Sequence, residues 1–389
     1  KISALKHGAK VRTMNQGIQD LIEVSRSYGS KKEYVIAGGG NTSYKTEDKL
    51  WVKASGFALS TISEEGFAVM DRKKLAQISE NEYSSDSFER ESQIKDDLAE
   101  ATITKDKRPS VETSFHNAIN YNFVVHLHPT AVNGIMCSNK AEELVQPIFG
   151  DEAVYIPYID PGYILFKAVE EKVIEFRAGK GYDPKVILLQ NHGIFVSANT
   201  TQEIVAIYDE IISNIEKEVT LPVDDWLLPV ADYVTEVVPA IRALVSTEGL
   251  KTIKVSNSAL VEKFNCCAES FEKVNYPFTP DLIVYCKSKY IYIDEVSSPE
   301  TTIEAFKIKY ERFVTDNGYT PKVVFIKGIG MLSIGDNAAQ SNIIKEVFED
   351  AMKISWLSES FGGQHFMTPE QINFIDTWEV ENYRRKVAA

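Results

Sequence analysis

The chain has 389 residues, 44% hydrophobic and 25% charged, with a formal net charge of −14. That length supports two ordinary globular cores, and the acidic balance leaves no basic face for a nucleic-acid partner. No apolar run is long enough to span a membrane. The four cysteines (Cys137, Cys266, Cys267 and Cys286) lack metal-site or redox spacing, which suits a reducing, cytoplasmic setting.

Residues 12–28 place Ile18, Leu21, Ile22 and Val24 at helical spacing and predict an amphipathic helix. Tyr34-Val35-Ile36-Ala37 reads as a strand entering Gly38-Gly39-Gly40-Asn41. Residues 42–45 and 50–54 read as two further strands, the second ending at Ser55-Gly56. No helix opens directly after the glycines, so a dinucleotide-binding fingerprint is not expected. Pro109-Ser110 predicts the start of a helix over 112–120, with Ser110 as N-cap and Glu112 in the first turn. Phe123 to His128 is a strand, and residues 184–189 form a buried strand leading into Asn191-His192-Gly193. Thr200-Thr201-Gln202-Glu203 is a capping box opening a helix whose Ile204, Ile207, Tyr208, Ile211 and Ile215 share one face.

Periodicity breaks over 218–235, around Pro222 and Pro229, which predicts domains at 1–220 and 240–389 joined by a linker at 221–239. The second half echoes the first. Pro321-Lys322-Val323-Val324-Phe325-Ile326-Lys327-Gly328-Ile329-Gly330 aligns with residues 184–193, a helix follows in both cases, and Ile329 stands where His192 does. Residues 240–389 are therefore expected to form a second α/β domain with a helical tail, in which 240–357 repeat part of the first domain without its chemistry.

Three of the six histidines fall in two short motifs. Alternation along a strand puts His126 and His128 on the same face, and a strand-end His192 can complete a set of three imidazoles. Such a set suits Zn²⁺ or another divalent metal, with one coordination position left open. A metal there polarises a carbonyl, and a nearby carboxylate can move the proton; Glu112 is the candidate. Asn41, Ser55, Gly56 and Ser110 offer amide and hydroxyl donors for an anion such as a sugar phosphate. Lys53 could add charge, although a strand lysine is expected to be solvated. His116 is expected to pack within its helix rather than bind metal, and His7 and His365 are expected to have no nearby partners and are given no role.

The motifs Gly40-Asn41-Thr42-Ser43, Ser55-Gly56, Pro109-Ser110-Val111-Glu112-Thr113, His126-Leu127-His128-Pro129, Pro161-Gly162 and Asn191-His192-Gly193 together resemble the class II aldolase/adducin family over about residues 15–217. The resemblance implies an α/β/α domain around a mostly antiparallel sheet, zinc held by His126, His128 and His192, and Glu112 as acid/base. It also implies a phosphate pocket at Asn41, Ser55, Gly56 and Ser110, a small phosphorylated sugar as substrate, and a homo-oligomer, commonly a tetramer. Trp51-Val52-Lys53-Ala54-Ser55-Gly56, Phe149-Gly150, Glu359-Ser360-Phe361-Gly362-Gly363 and Trp378-Glu379-Val380-Glu381-Asn382-Tyr383-Arg384 are similar to the aldolase half of bifunctional rhamnulose-1-phosphate aldolase/lactaldehyde dehydrogenases. Val111 stands where short fuculose-phosphate aldolases carry a second serine, and no glycine-rich strand-turn-helix follows Arg384 within these residues. The expected activity is aldol cleavage of a ketose 1-phosphate. A sugar-phosphate 4-epimerase and a non-catalytic adducin-like module are the alternatives.

Overall fold

The computed structural model of the chain describes residues 14–377 apart from residue 295. His7 and the Trp378 to Arg384 motif lie outside the described residues. The first sheet has seven strands: β1 (Asn41–Lys45), β2 (Lys49–Lys53), β3 (Phe67–Asp71), β4 (Phe123–Leu127), β5 (Ala153–Ile156), β6 (Val186–Leu189) and β7 (Gly193–Ala198). They lie in the order β3-β2-β1-β4-β7-β6-β5, antiparallel except for the β5–β6 pair. Both faces are covered, as the alternation along β4 requires. Phe123, Val125 and Leu127 join a core with Leu21, Ile204 and Tyr208 from the helices Met14–Gly29 and Thr201–Glu218. Val124 packs on the other face with Phe115, Leu165 and Phe195. Thr200 caps the Thr201–Glu218 helix by accepting from the Glu203 amide, while the Glu203 carboxylate pairs with Lys185 instead of turning back.

Two local expectations are corrected. Residues 34–37 are a turn, not a strand. The amides of Tyr34 and Val35 both bond to Lys31 O, and Ala37 takes φ 53°. Strand β1 is already paired on both edges, by β2 and β4, so no place is left beside it. The turn instead braces the end of β4: His128 N–H donates to Tyr34 O at 3.3 Å and Thr130 N–H to Glu33 O at 2.9 Å. The second correction concerns the helix after Pro109. It runs Thr113–Ala118 with Glu112, not Ser110, at the N-cap position, and Ser110 Oγ accepts the Glu112 amide at 3.2 Å just ahead of it.

Residues 219–233 carry no helix or strand. The second sheet follows: β8 (Thr252–Ser256), β9 (Ile291–Ile293), β10 (Val323–Ile326) and β11 (Gly330–Gly335), in the order β8-β11-β10-β9. Its connectivity repeats β4 to β7 strand for strand. The β9–β10 pair is parallel like β5–β6, and the hairpin β10–β11 is antiparallel like β6–β7. Strand β8 pairs antiparallel with β11 as β4 does with β7. The registers correspond as well: Leu189 pairs with Gly193 and Ile326 with Gly330, Leu127 with Ile194 and Ser256 with Met331. A long helix, Ala338–Ser358, follows the second hairpin as Thr201–Glu218 follows the first. The positions of His126, His128 and His192 are thereby taken by Val255, Asn257 and Ile329, so the second domain is aldolase-like in topology and lacks the imidazoles.

The two domains meet along the helices Thr130–Met136 and Ala338–Ser358. Contact is close because Gly134 has no side chain: a Cβ there would lie 2.8 Å from Leu357 Cβ. Ser358 Oγ donates to Gly134 O at 3.0 Å across the same seam.

Candidate metal centre and cavity

His126 lies within β4, one residue before the strand ends, and His128 follows just beyond it. His192 sits in the tight β6–β7 turn, whose Asn191 takes φ 56°, a left-handed conformation that asparagine tolerates. The three rings converge. Their centroids are 4.9, 5.0 and 5.1 Å apart, and one nitrogen from each lies within 4.8 Å of the others. Among the described residues this is the group of histidines, cysteines and carboxylates that could hold a metal ion. The donor set fits one. Nitrogens about 2.0–2.1 Å from a tetrahedral zinc would lie about 3.3 Å apart, and the Nε2 atoms of His126 and His128 are 3.1 Å apart.

The outward nitrogens of His126 and His128 are held as well. His126 Nδ1–H donates to Ile194 O at 3.0 Å, which fixes the tautomer and leaves Nε2 its lone pair. The same ring stacks on Phe195, with centroids 4.1 Å apart. His128 Nδ1 faces Asp281 Oδ2 at 2.7 Å. Burial, followed by the proximity of His126 and His128, pushes the His192 imidazole down to about 3, so it is neutral at ordinary pH, the form able to bind a cation.

Glu112 Oε1 lies 3.3 Å from His126 Nε2 and 3.5 Å from His192 Nε2. Its other oxygen accepts from Asn41 Nδ2 at 2.6 Å, and that amide also reaches Ser110 Oγ at 2.8 Å. Burial acts to raise the carboxyl's pKa, but His126, His192 and His128 outweigh it and hold the group well below the usual range. The carboxylate is therefore ionised and aimed at the space between the imidazoles.

A cavity of about 460 Å³ opens onto this group. Asn41, Ser55, Gly56, Ser110, Glu112, His128 and His192 all line it. His126 is fully buried behind them. His116 is buried with Nδ1 bonded to Ser43 Oγ at 2.7 Å, a packed histidine outside the three-imidazole group. Two sequence expectations fail at the cavity. Lys53 is not solvated: only 5% exposed, it lines the cavity and donates to Gly38 O at 3.1 Å. His365 is not without partners: its Nδ1 meets Asn191 Oδ1 at 2.9 Å, beside His192. Arg108, Asp281, Tyr285 and Asp350 also line the cavity and escaped the sequence reading. The last three come from the helices Pro280–Cys286 and Ala338–Ser358, so the second domain forms one wall.

A convergent three-histidine group with an ionised carboxylate, at the end of a seven-stranded antiparallel-rich sheet, defines an α/β protein with a candidate metal site. The Class II Aldolase and Adducin N-terminal domain matches residues 19–215, and the Aldolase class II second domain matches residues 232–384. The chain belongs to the class II aldolase and adducin family. It is 25% identical to the Uncharacterized oxidoreductase YuxG of Bacillus subtilis, over 96% of this chain and 59% of that protein. The chain thus spans about three-fifths of the length of that relative. It is 26% identical to the L-fuculose phosphate aldolase of Methanocaldococcus jannaschii, over 45% of this chain and 81% of that protein. The structure of an N-terminal class II aldolase domain from Thermoplasma acidophilum is 28% identical, with a TM-score of 0.46, covering 55% of this chain and 99% of that one. No helix among the described residues is long and apolar enough to cross a membrane.

Proposed function

We propose that the protein is a zinc-dependent aldolase that cleaves a ketose 1-phosphate to dihydroxyacetone phosphate and an aldehyde, with L-rhamnulose 1-phosphate as the first substrate to try. The observation that carries this reading is the Glu112 carboxylate, 3.3 and 3.5 Å from two of three convergent imidazoles in a chain of this family. Bound by His126, His128 and His192, zinc would act as a Lewis acid toward the carbonyl and neighbouring hydroxyl of the ketose. Glu112 moves the proton. In the direction of bond formation its ionised carboxylate takes a proton from the hydroxymethyl carbon of dihydroxyacetone phosphate. In cleavage the C4 hydroxyl gives up its proton as the C3–C4 bond breaks to leave the aldehyde, the bonding pair stays on C3, and Glu112 relays a proton to that carbon. Asn41 anchors Oε2, so Oε1 stays turned toward the space between the imidazoles.

The phosphate is assigned to the cavity wall formed by Asn41, Ser55, Gly56 and Ser110, with Lys53 and Arg108 on the same wall supplying positive charge. The family reading also carries a cytoplasmic homo-oligomer, with a tetramer favoured. The test is a panel of ketose 1-phosphates, read by release of triose phosphate from fully metallated protein. Chelator should abolish release and added zinc restore it. Metallated protein that releases no triose phosphate from any member ends the aldolase reading, and an epimer formed in its place reassigns the chain to 4-epimerisation.

A further inference from the structure

Both the imidazoles and Glu112 belong to the part of the chain matched by the N-terminal aldolase domain, yet two of the three metal-site segments are braced by the second domain. Asp281, in the first turn of the Pro280–Cys286 helix, sets Oδ2 2.7 Å from His128 Nδ1. Thr279 caps that helix by accepting from the Leu282 amide, which fixes the helix start and so the place of Asp281. Two residues past His128, the Thr130 hydroxyl donates to Asp350 of the Ala338–Ser358 helix. The turn carrying His192 is held in the same way. Asn191 Nδ2 donates to Phe278 O at 2.8 Å and to His365 O at 2.7 Å, and the His365 ring returns a bond to Asn191 Oδ1.

We infer that Asp281 is a positioning residue for the metal ligand His128, so that the second domain, which supplies none of the three ligands, sets how tightly the first domain holds its metal. This rests on the metal reading above. The chemistry is that of a carboxylate accepting the Nδ1–H of a ligating histidine. It fixes the ring's tautomer and orientation and makes Nε2 a better donor, and loss of such a partner typically weakens metal affinity by about 10–100-fold. His126 has a backbone carbonyl in the equivalent role, supplied by its own sheet. At its outward nitrogen His128 has a carboxylate instead, and that carboxylate comes from 153 residues further along the chain.

The experiment uses the full chain, with zinc affinity measured by competition against a chromophoric chelator and coordination read from the visible spectrum of the Co²⁺ form. Asp281→Ala should raise the zinc Kd by about 10–100-fold and alter the Co²⁺ bands. Asp281→Asn, which keeps an acceptor oxygen without the charge, should fall between it and the wild type. Lys287→Ala is the control for general loosening. It removes the 3.1 Å ion pair to Asp376 at the other end of the same helix and should leave the zinc Kd unchanged. Wild-type affinity in both Asp281 variants, or an equal loss in Lys287→Ala, overturns the inference while leaving the metal reading intact. Failure of the wild type itself to bind zinc or Co²⁺ removes the metal reading and the inference together.

Discussion

Replacing Gly193 by alanine tests whether strand packing fixes the metal group. A Cβ on Gly193 would fall 2.5 Å from Leu127 O and 2.7 Å from His128 Cδ2. Ordinary contact begins at 3.4 Å, so these atoms must retreat by roughly 0.7–0.9 Å, a displacement steep on the repulsive wall. Leu127 O cannot move freely, because Leu127 is paired with Ile194 in the β4–β7 ladder. The imidazole of His128 is the softer of the two and gives way, leaving its place against Asp281 and the other rings. Overpacking of this kind costs about 1–3 kcal/mol, measurable as a lower urea midpoint with unchanged m-value. Zinc affinity should fall in the same variant. Gly330→Ala provides the contrast: its Cβ would lie 2.4 Å from Ser256 O in the corresponding hairpin, where no imidazole is present. It should lower stability and leave zinc affinity untouched. Gly193→Ala with the wild-type zinc Kd would refute the argument, since the methyl group would then have been accommodated without moving His128.

Glu112→Gln keeps the volume and an oxygen for Asn41 but removes the proton carrier, so kcat for aldol cleavage should drop by about 10²–10⁴-fold with zinc still bound. Retention of more than a tenth of the activity would assign the proton to another group. Lys53→Met should raise KM for a phosphorylated ketose and weaken inorganic phosphate as a competitive inhibitor, since the buried ammonium on the cavity wall is lost; unchanged inhibition would remove Lys53 from the phosphate site. Burial, reinforced by Asp281, raises the Asp350 carboxyl to about 7 against the opposing pull of Thr130 and Lys353. The stability owed to its neutral form is complete below about 4, the unfolded value, and is lost as pH climbs to about 7. Asp350→Asn, melted in the presence of chelator, should therefore be more stable than the wild type at pH 8, by on the order of 1–3 kcal/mol. The gap should close near pH 4, and a gap that does not depend on pH would show that Asp350 is ionised throughout.

The parts of this site legible in the sequence are those that obey local rules. Period-two alternation brought His126 and His128 together, because they sit at a strand end where a single residue separates them. Asn191-His192-Gly193 announced a turn through residues tolerant of unusual backbone angles and close approach, and the turn is there. The alignment of 184–193 with 321–330 anticipated a repeated hairpin, since buried strand, glycine turn and following helix each leave a composition signal. Tyr34 to Ala37 misled because apolar, β-branched residues also anchor turns. Tyr34 packs on Tyr28 and Tyr208, and Val35 is buried without a ladder partner. For Lys53 the possible charge was read from the sequence but not the burial, and Asp281 and His365 were not read from it. Their partners are 15, 153 and 174 residues away, and no periodicity records a contact made only by tertiary packing.

The two hairpins kept different things. Gly193 and Gly330 occupy corresponding places, each admitting a neighbouring carbonyl that any side chain would strike, whereas the imidazoles persist in one copy alone. A glycine present in both hairpins serves the backbone framework, whereas the three histidines stand in one copy alone. Topology and chemistry therefore separate in this chain: one hairpin plan is built twice, and the second domain meets the cavity through side chains carried on its helices.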